Sequence, residues 1–161
     1  MKVLLLPLGI VSLLVSCSGK PDLSTPEKFA NAVIGSINAK DSSKFNALFM
    51  NDEDFAYVLK HTTEGSSVKR QMAKGKPRFM DMVRTSATTS YEQIMHEISG
   101  ISTFQLSPFE VETDNAIRII YQLEMQIETP DHHKKMIRTG RLVHVDNQWK
   151  TVAPIIVGEV Y

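Results

Sequence analysis

Ile117-Arg118-Ile119-Ile120-Tyr121-Gln122-Leu123-Glu124-Met125-Gln126-Ile127-Glu128 is the stretch on which the fold turns. Positions 117, 119, 121, 123, 125 and 127 are large and apolar or aromatic, whereas Arg118, Gln122, Glu124, Gln126 and Glu128 occupy the opposite parity. Ile120 is the one residue out of step. Side chains along a β-strand alternate between its two faces, so this spacing predicts a half-buried strand over Ile117 to Ile127 with Ile119, Tyr121, Leu123 and Met125 on its inward face.

The same period continues to either side. Pro130-Asp131 marks a turn, and Met136 to Val145 reads as the next strand. Asp146-Asn147-Gln148 is a hairpin loop leading into a strand from Trp149 to Val157. Upstream, Ser102 to Glu112 supplies another strand, broken or kinked at Pro108, and Thr113-Asp114-Asn115 returns the chain into the long one. Short connections in succession imply antiparallel neighbours, hence a meander.

Before Gly100 the period is helical. Ser24-Thr25-Pro26-Glu27 combines a capping serine, a glutamate three positions on and a proline in the first turn. Phe29, Ala30, Val33, Ile34 and Ile37 then form one apolar stripe. Asp41 caps a second, shorter helix with Phe45, Leu48 and Phe49 on one face, and Asn51 to Asp54 opens a third around Phe55 to Leu59. The pattern dissolves between His61 and Pro77, where Gly65, Gly75 and Pro77 are breakers. Two further helices are expected near 78 to 86 and 90 to 98. Helices first and a meander afterwards predict an α+β domain, its amino-terminal helices packed on a curved antiparallel sheet.

The apolar stripe of the first helix, the Ala39-Lys40-Asp41 step before the second, and a meander ending Leu142-Val143-His144-Val145-Asp146-Asn147-Gln148-Trp149-Lys150 together resemble the nuclear-transport-factor-2-like superfamily. The resemblance implies a cone in which the sheet wraps a long helix. Catalytic relatives, such as isomerases, dehydratases and cyclases, place an Asp or His base with a Tyr or acid donor inside that cone. Here the inward face of Ile117 to Ile127 offers Tyr121 as its one polar group, while Glu124 and Glu128 face the other way. A general base must lie within hydrogen-bond reach of its proton, so the strand implies an apolar pocket and no catalytic residue.

The amino terminus carries a separate signal. Lys2 precedes an apolar run from Val3 to Val15, interrupted by Pro7, Gly9 and Ser12. That is the charge-then-apolar pattern of an export leader and is too short for a permanent membrane span. Leu14-Val15-Ser16-Cys17 resembles the bacterial lipobox. The resemblance implies cleavage between Ser16 and Cys17 and attachment of lipid, including a palmitate-type acyl chain, to Cys17. Cys17 is the sole cysteine of the chain, so no internal disulfide competes for its thiol. Residues 1–16 are then a signal peptide, 17–23 a lipidated tether, and 24–161 the cone-like domain; the mature chain from Cys17 keeps 145 residues, enough to build a core. Ser18 is not the aspartate that retains enterobacterial lipoproteins in the inner membrane, so the expected location is the cell envelope, on an outer membrane facing the periplasm.

Composition excludes more than it assigns. Lysine and arginine number 18 and aspartate and glutamate 18, so the basic excess of a nucleic-acid binder is absent. No metal or cofactor motif is present: His132 and His133 are adjacent rather than at ligand spacing, and neither a nucleophile elbow nor a phosphate loop occurs. The strongest local bias is basic, at Lys69, Arg70, Lys74, Lys76 and Arg78, and offers a contact for anionic lipid headgroups. The expectation is thus a non-enzymatic, membrane-anchored envelope lipoprotein that binds a small apolar ligand or a partner protein. The alternative is an isomerase, dehydratase or cyclase of the same superfamily. A polar outer sheet face at Arg118, Gln122, Glu124 and Gln126 favours a monomer.

Overall fold

Thr25, not Ser24, caps the first helix. The computed structural model describes residues 20–160 apart from 64, 74 and 115, with the backbone alone at 67 and 71. In it Thr25 is extended and its hydroxyl accepts from the Lys28 amide, with Pro26 beginning the helix. Ser24 lies one residue too early for that role. Its amide donates to Asp22 Oδ1 and its hydroxyl accepts from Lys28 Nζ.

The helices are α1 (Pro26–Asn38), α2 (Ser42–Asn46), α3 (Asp52–His61), α4 (Ser67–Met72) and α5 (Lys76–Glu97). Asp41 caps α2 and Ser66 caps α4. Asn51 and Asp54 form a reciprocal capping box on α3, which satisfies amides that a helix start otherwise leaves unpaired. The two helices expected over 78–98 are one. Thr88 and Thr89 turn their hydroxyls back to the Arg84 and Thr85 carbonyls, so the cluster of β-branched polar residues satisfies itself without breaking the helix. Ser86, Ala87 and Ser90 are small and buried, and let α5 run close to the sheet.

Eight strands follow among the described residues: β1 (Thr103–Leu106), β2 (Glu112–Asp114), β3 (Ile117–Ile120), β4 (Glu124–Glu128), β5 (Lys134–Thr139), β6 (Leu142–Val145), β7 (Gln148–Thr151) and β8 (Ile155–Glu159). They pair as β1-β4-β5-β8 and β2-β3-β6-β7. The registers show these to be two halves of one bent meander. From Ile119↔Val143 to Glu128↔Lys134 the residue numbers of each pair add to the same total across the bend. The same holds from Thr103↔Glu128 to Asp114↔Ile117. Each long strand read from the sequence is therefore a single arm bent in the middle, and the arm broken near Pro108 is β1 with β2. On the last arm the register slips by one residue between β7 and β8, across Val152-Ala153-Pro154. One extra residue on one side of a ladder is a β-bulge, which bends and twists the strand that carries it.

At the bend of the central hairpin, the Leu123 amide donates to Thr139 Oγ1 at 3.1 Å, while the Thr139 amide donates to the Leu123 carbonyl at 2.9 Å. The side-chain oxygen keeps the buried amide satisfied where the ladder is distorted. Helices α1 and α5 fill the concave side. Phe29, Val33, Ile37, Phe79, Met80 and Ile94 join Ile119, Leu123, Met125, Ile137 and Ile155 in one continuous core.

The β7 edge is covered rather than open. The Trp149 amide donates to the Leu23 carbonyl at 2.8 Å, and Thr151 exchanges bonds with Leu48 and Met50 at 3.0 Å. Covering an edge removes a template for unwanted strand pairing. Leu23 is fully buried. Placed by the sequence at the end of the tether, it belongs to the packed body. The leader, Ser16 and Cys17 lie outside the described residues, and no described helix is long and apolar enough to cross a membrane.

Candidate functional site

The four residues assigned to the inward face divide in two. Ile119, Leu123 and Met125 are 0% exposed. They are packed core and line no open cavity. Tyr121 is 47% exposed and lies on the outside of the bend. The cause is local: Ile119 and Ile120 are both buried at the end of β3, so the alternation inverts there and Tyr121 turns out. The Arg141 guanidinium stands 5.1 Å from the centre of its ring. Tyr121 instead borders an outer groove of about 480 Å³ with Phe109, Glu110 and Glu112.

The basic segment is split across two helices. Lys69 and Arg70 lie on α4, Lys76 and Arg78 at the start of α5, and Lys74 falls outside the described residues. Lys76 is 3.0 Å from Asp52, which Arg84 also meets at 3.0 Å, so one carboxylate at the start of α3 ties down two of the local cations. Beside them Phe55, Leu59, Met72 and Ala73 form an apolar depression of about 320 Å³ with Lys69, Arg70 and Lys76 around it. His132 and His133 are solvated in their turn and paired with Glu128 and Asp131. Among the described residues no group of three or more His, Cys, Asp or Glu side chains could hold a metal ion.

Two ionisable groups perturbed by burial, Asp54 and Lys150, meet elsewhere, at the corner where the capping box of α3 meets β7. Lys150 is 8% exposed, and its Nζ donates to the Ala47 carbonyl at 2.6 Å. Asp54 is half-buried, and its Oδ2 accepts from the Asn51 amide at 2.9 Å. Burial pushes the Asp54 carboxyl up, against the pull of the Asn51 amide and the positive charge of Lys150. Burial also pushes the Lys150 ammonium down, partly offset by Asp54. Both shifts share one origin, the removal of a charge from water. The two residues line a cleft of about 250 Å³ with Lys20, Asn51, Asp146 and Gln148.

Sequence reasoning missed this pair for a physical reason. Alternation predicts that Lys150 faces away from the buried Trp149 and into solvent, but the Phe45 to Met50 segment covers that second face. Trp149, Lys150 and Thr151 are consequently all buried. The one available signal was the capping box, which fixes Asp54 at the mouth of α3.

No family model matches the chain, and no curated protein matches it by sequence. A solved structure does: a candidate dehydratase of the nuclear-transport-factor-2-like (NTF2-like) family from Streptomyces avermitilis superposes with a TM-score of 0.50 at 13% identity, over 87% of this chain and 96% of that one. At such identity the likeness carries architecture alone. The helices followed by a bent antiparallel meander thus have the NTF2-like fold.

Proposed function

We propose that this chain is a lipid-anchored, non-enzymatic domain of the bacterial cell envelope, held to a membrane through Cys17 and acting through its surface on a partner. The observation that carries the non-enzymatic, surface-acting part is the filling of the cone: Ile119, Leu123 and Met125 are fully enclosed, which leaves no open space beside them for an apolar ligand or a substrate. A partner protein on the surface is therefore favoured over a small apolar ligand inside the cone. Catalysis inside the cone would need two titratable groups converging on Tyr121, and that side chain points outward.

Anchoring rests on the leader, the lipobox and the absence of a second cysteine. Two acyl chains give stable membrane attachment without any apolar surface on the domain itself. The basic side chains Lys69, Arg70, Lys74, Lys76 and Arg78 would add a weaker, salt-sensitive attraction to anionic headgroups.

The test is mass spectrometry of the protein isolated from cells, with Cys17→Ser beside it. The expected result is a chain beginning at Cys17 with added lipid mass, found with membranes, and loss of both properties in the variant. An intact leader or an unmodified thiol in the parent would overturn the reading.

A further inference from the structure

The cleft at the α3–β7 corner holds charges of both signs that do not neutralise each other by contact. Lys150 carries three N–H donors, and one of them meets Ala47. Among the described residues no second acceptor lies within hydrogen-bond distance of Nζ, and Lys150 lines the cleft. On the same cleft Asp54 uses one carboxylate oxygen for the Asn51 amide, and Glu53 and Asp146 are on the rim. No ion pair within 4.0 Å joins Lys150 to any of the three.

A simple anion would be drawn to Lys150 and Lys20 and repelled by three carboxylates. A simple cation would meet the reverse. A molecule with both charges satisfies both sides, and a cleft of about 250 Å³ admits one no larger than a lipid headgroup or an amino acid. We propose that this cleft binds a small zwitterion, its acidic group on Lys150 Nζ and its ammonium toward Asp54. Two sources share this chemistry: the phosphoethanolamine headgroup of a phospholipid and a free amino acid. The headgroup is the favoured source, a choice that rests on the anchored reading. Lys20 and Pro21 line the cleft, and Cys17 is three residues before Lys20, a reach of about 10 Å at most. An anchored domain would hold this corner at the headgroup layer.

The test uses the mature chain carrying Cys17→Ser, titrated with O-phosphoethanolamine, glycine, ethanolamine and inorganic phosphate in turn. Isothermal titration calorimetry measures each association. Saturable binding of O-phosphoethanolamine is expected, at least tenfold tighter than that of ethanolamine or phosphate, with Lys150→Met and Asp54→Asn each weakening it at least tenfold. Thermal midpoints show that the variants are folded, and if Lys150→Met is not, Asp54→Asn carries the comparison.

Glycine binding as tight as O-phosphoethanolamine assigns the site to free amino acids. Binding to vesicles of phosphatidylethanolamine, lost in Asp54→Asn, assigns it to the headgroup. No saturable response to either zwitterion overturns the proposal. So does equal binding of phosphate alone, or vesicle binding that requires anionic phosphatidylglycerol and ignores both substitutions. Because the soluble titrations contain no membrane, they stand or fall independently of whether Cys17 carries lipid in cells.

Discussion

Gly140 approaches Ala153 so closely that a β-carbon added to it would lie 2.4 Å from the Ala153 Cβ. The contact sits where the β5–β6 arm bends beside the bulge of the last arm, and the Gly140 amide donates to the Pro154 carbonyl at 2.9 Å. Gly140→Ala should therefore strain the bend that holds the two halves of the sheet together, at a cost of about 1–3 kcal/mol. Urea unfolding measures it. Adding Ala153→Gly should recover part of that loss, because the next atoms lie at 3.5 Å, an ordinary contact. A single variant as stable as the parent would show that the two arms do not meet this closely.

Bends of this kind left traces in the sequence, but not always legible ones. Pro108 announced the break in the first arm because proline lacks a ladder donor. Ile120 was the matching trace in the second: the residue out of step with the alternation marks where the strand turns, and its burial beside Ile119 is what expels Tyr121. Strict alternation through Ile120 predicts Tyr121 inward, whereas the turn of the strand there puts it outside. The single long α5 was hidden because Thr88 and Thr89 look like helix breakers until their hydroxyls find carbonyls within the helix. Lys150 was invisible because its burial depends on the Ala47 carbonyl, more than a hundred positions away. Local periodicity reports one packed face, and a strand covered on both faces by distant segments escapes it.

Ser90 ties the buried face of α5 to the sheet. Its Oγ accepts from the Ile155 amide at 2.9 Å, and both residues are buried. Ser90→Ala leaves that amide without a partner and should cost about 1–3 kcal/mol. Chemical unfolding gives the loss, and hydrogen exchange at the Ile155 amide should accelerate beyond what global destabilisation alone produces. Unchanged protection at Ile155 would mean that another acceptor replaces the hydroxyl.

Leu23 places the beginning of the folded body. Its side chain is 0% exposed and its carbonyl receives the Trp149 amide, so Leu23→Ala should lose about 2–5 kcal/mol, the range for a buried leucine. A residue on a loose tether would lose almost nothing. Pro21→Ala, a substitution outside the core cluster, is the control and should stay within about 0.5 kcal/mol. Equal effects of the two substitutions would return Leu23 to the tether.

Asp22 gives the pH dependence that isolates the junction. Hydrogen bonds from Lys28 Nζ at 2.6 Å and from Ser24 hold its carboxyl at about 2, below the ordinary 3.8. A carboxyl depressed by folding stabilises the fold at pH values above its unfolded value, and the contribution disappears as pH falls through the folded one. Asp52, Asp41 and Asp131 are also lowered, whereas Asp54 is raised and acts with the opposite sign, favouring the fold at low pH. The parent curve alone therefore mixes several groups, and the difference between parent and Asp22→Asn separates this one. Thermal midpoints from pH 6 to pH 2 should show a constant gap above about pH 4 that narrows below it and closes near pH 2. The pair is solvent-exposed, so added salt should shrink the same gap. A gap that survives undiminished at pH 2 would assign the role of Asp22 to the shape of the turn rather than to its charge.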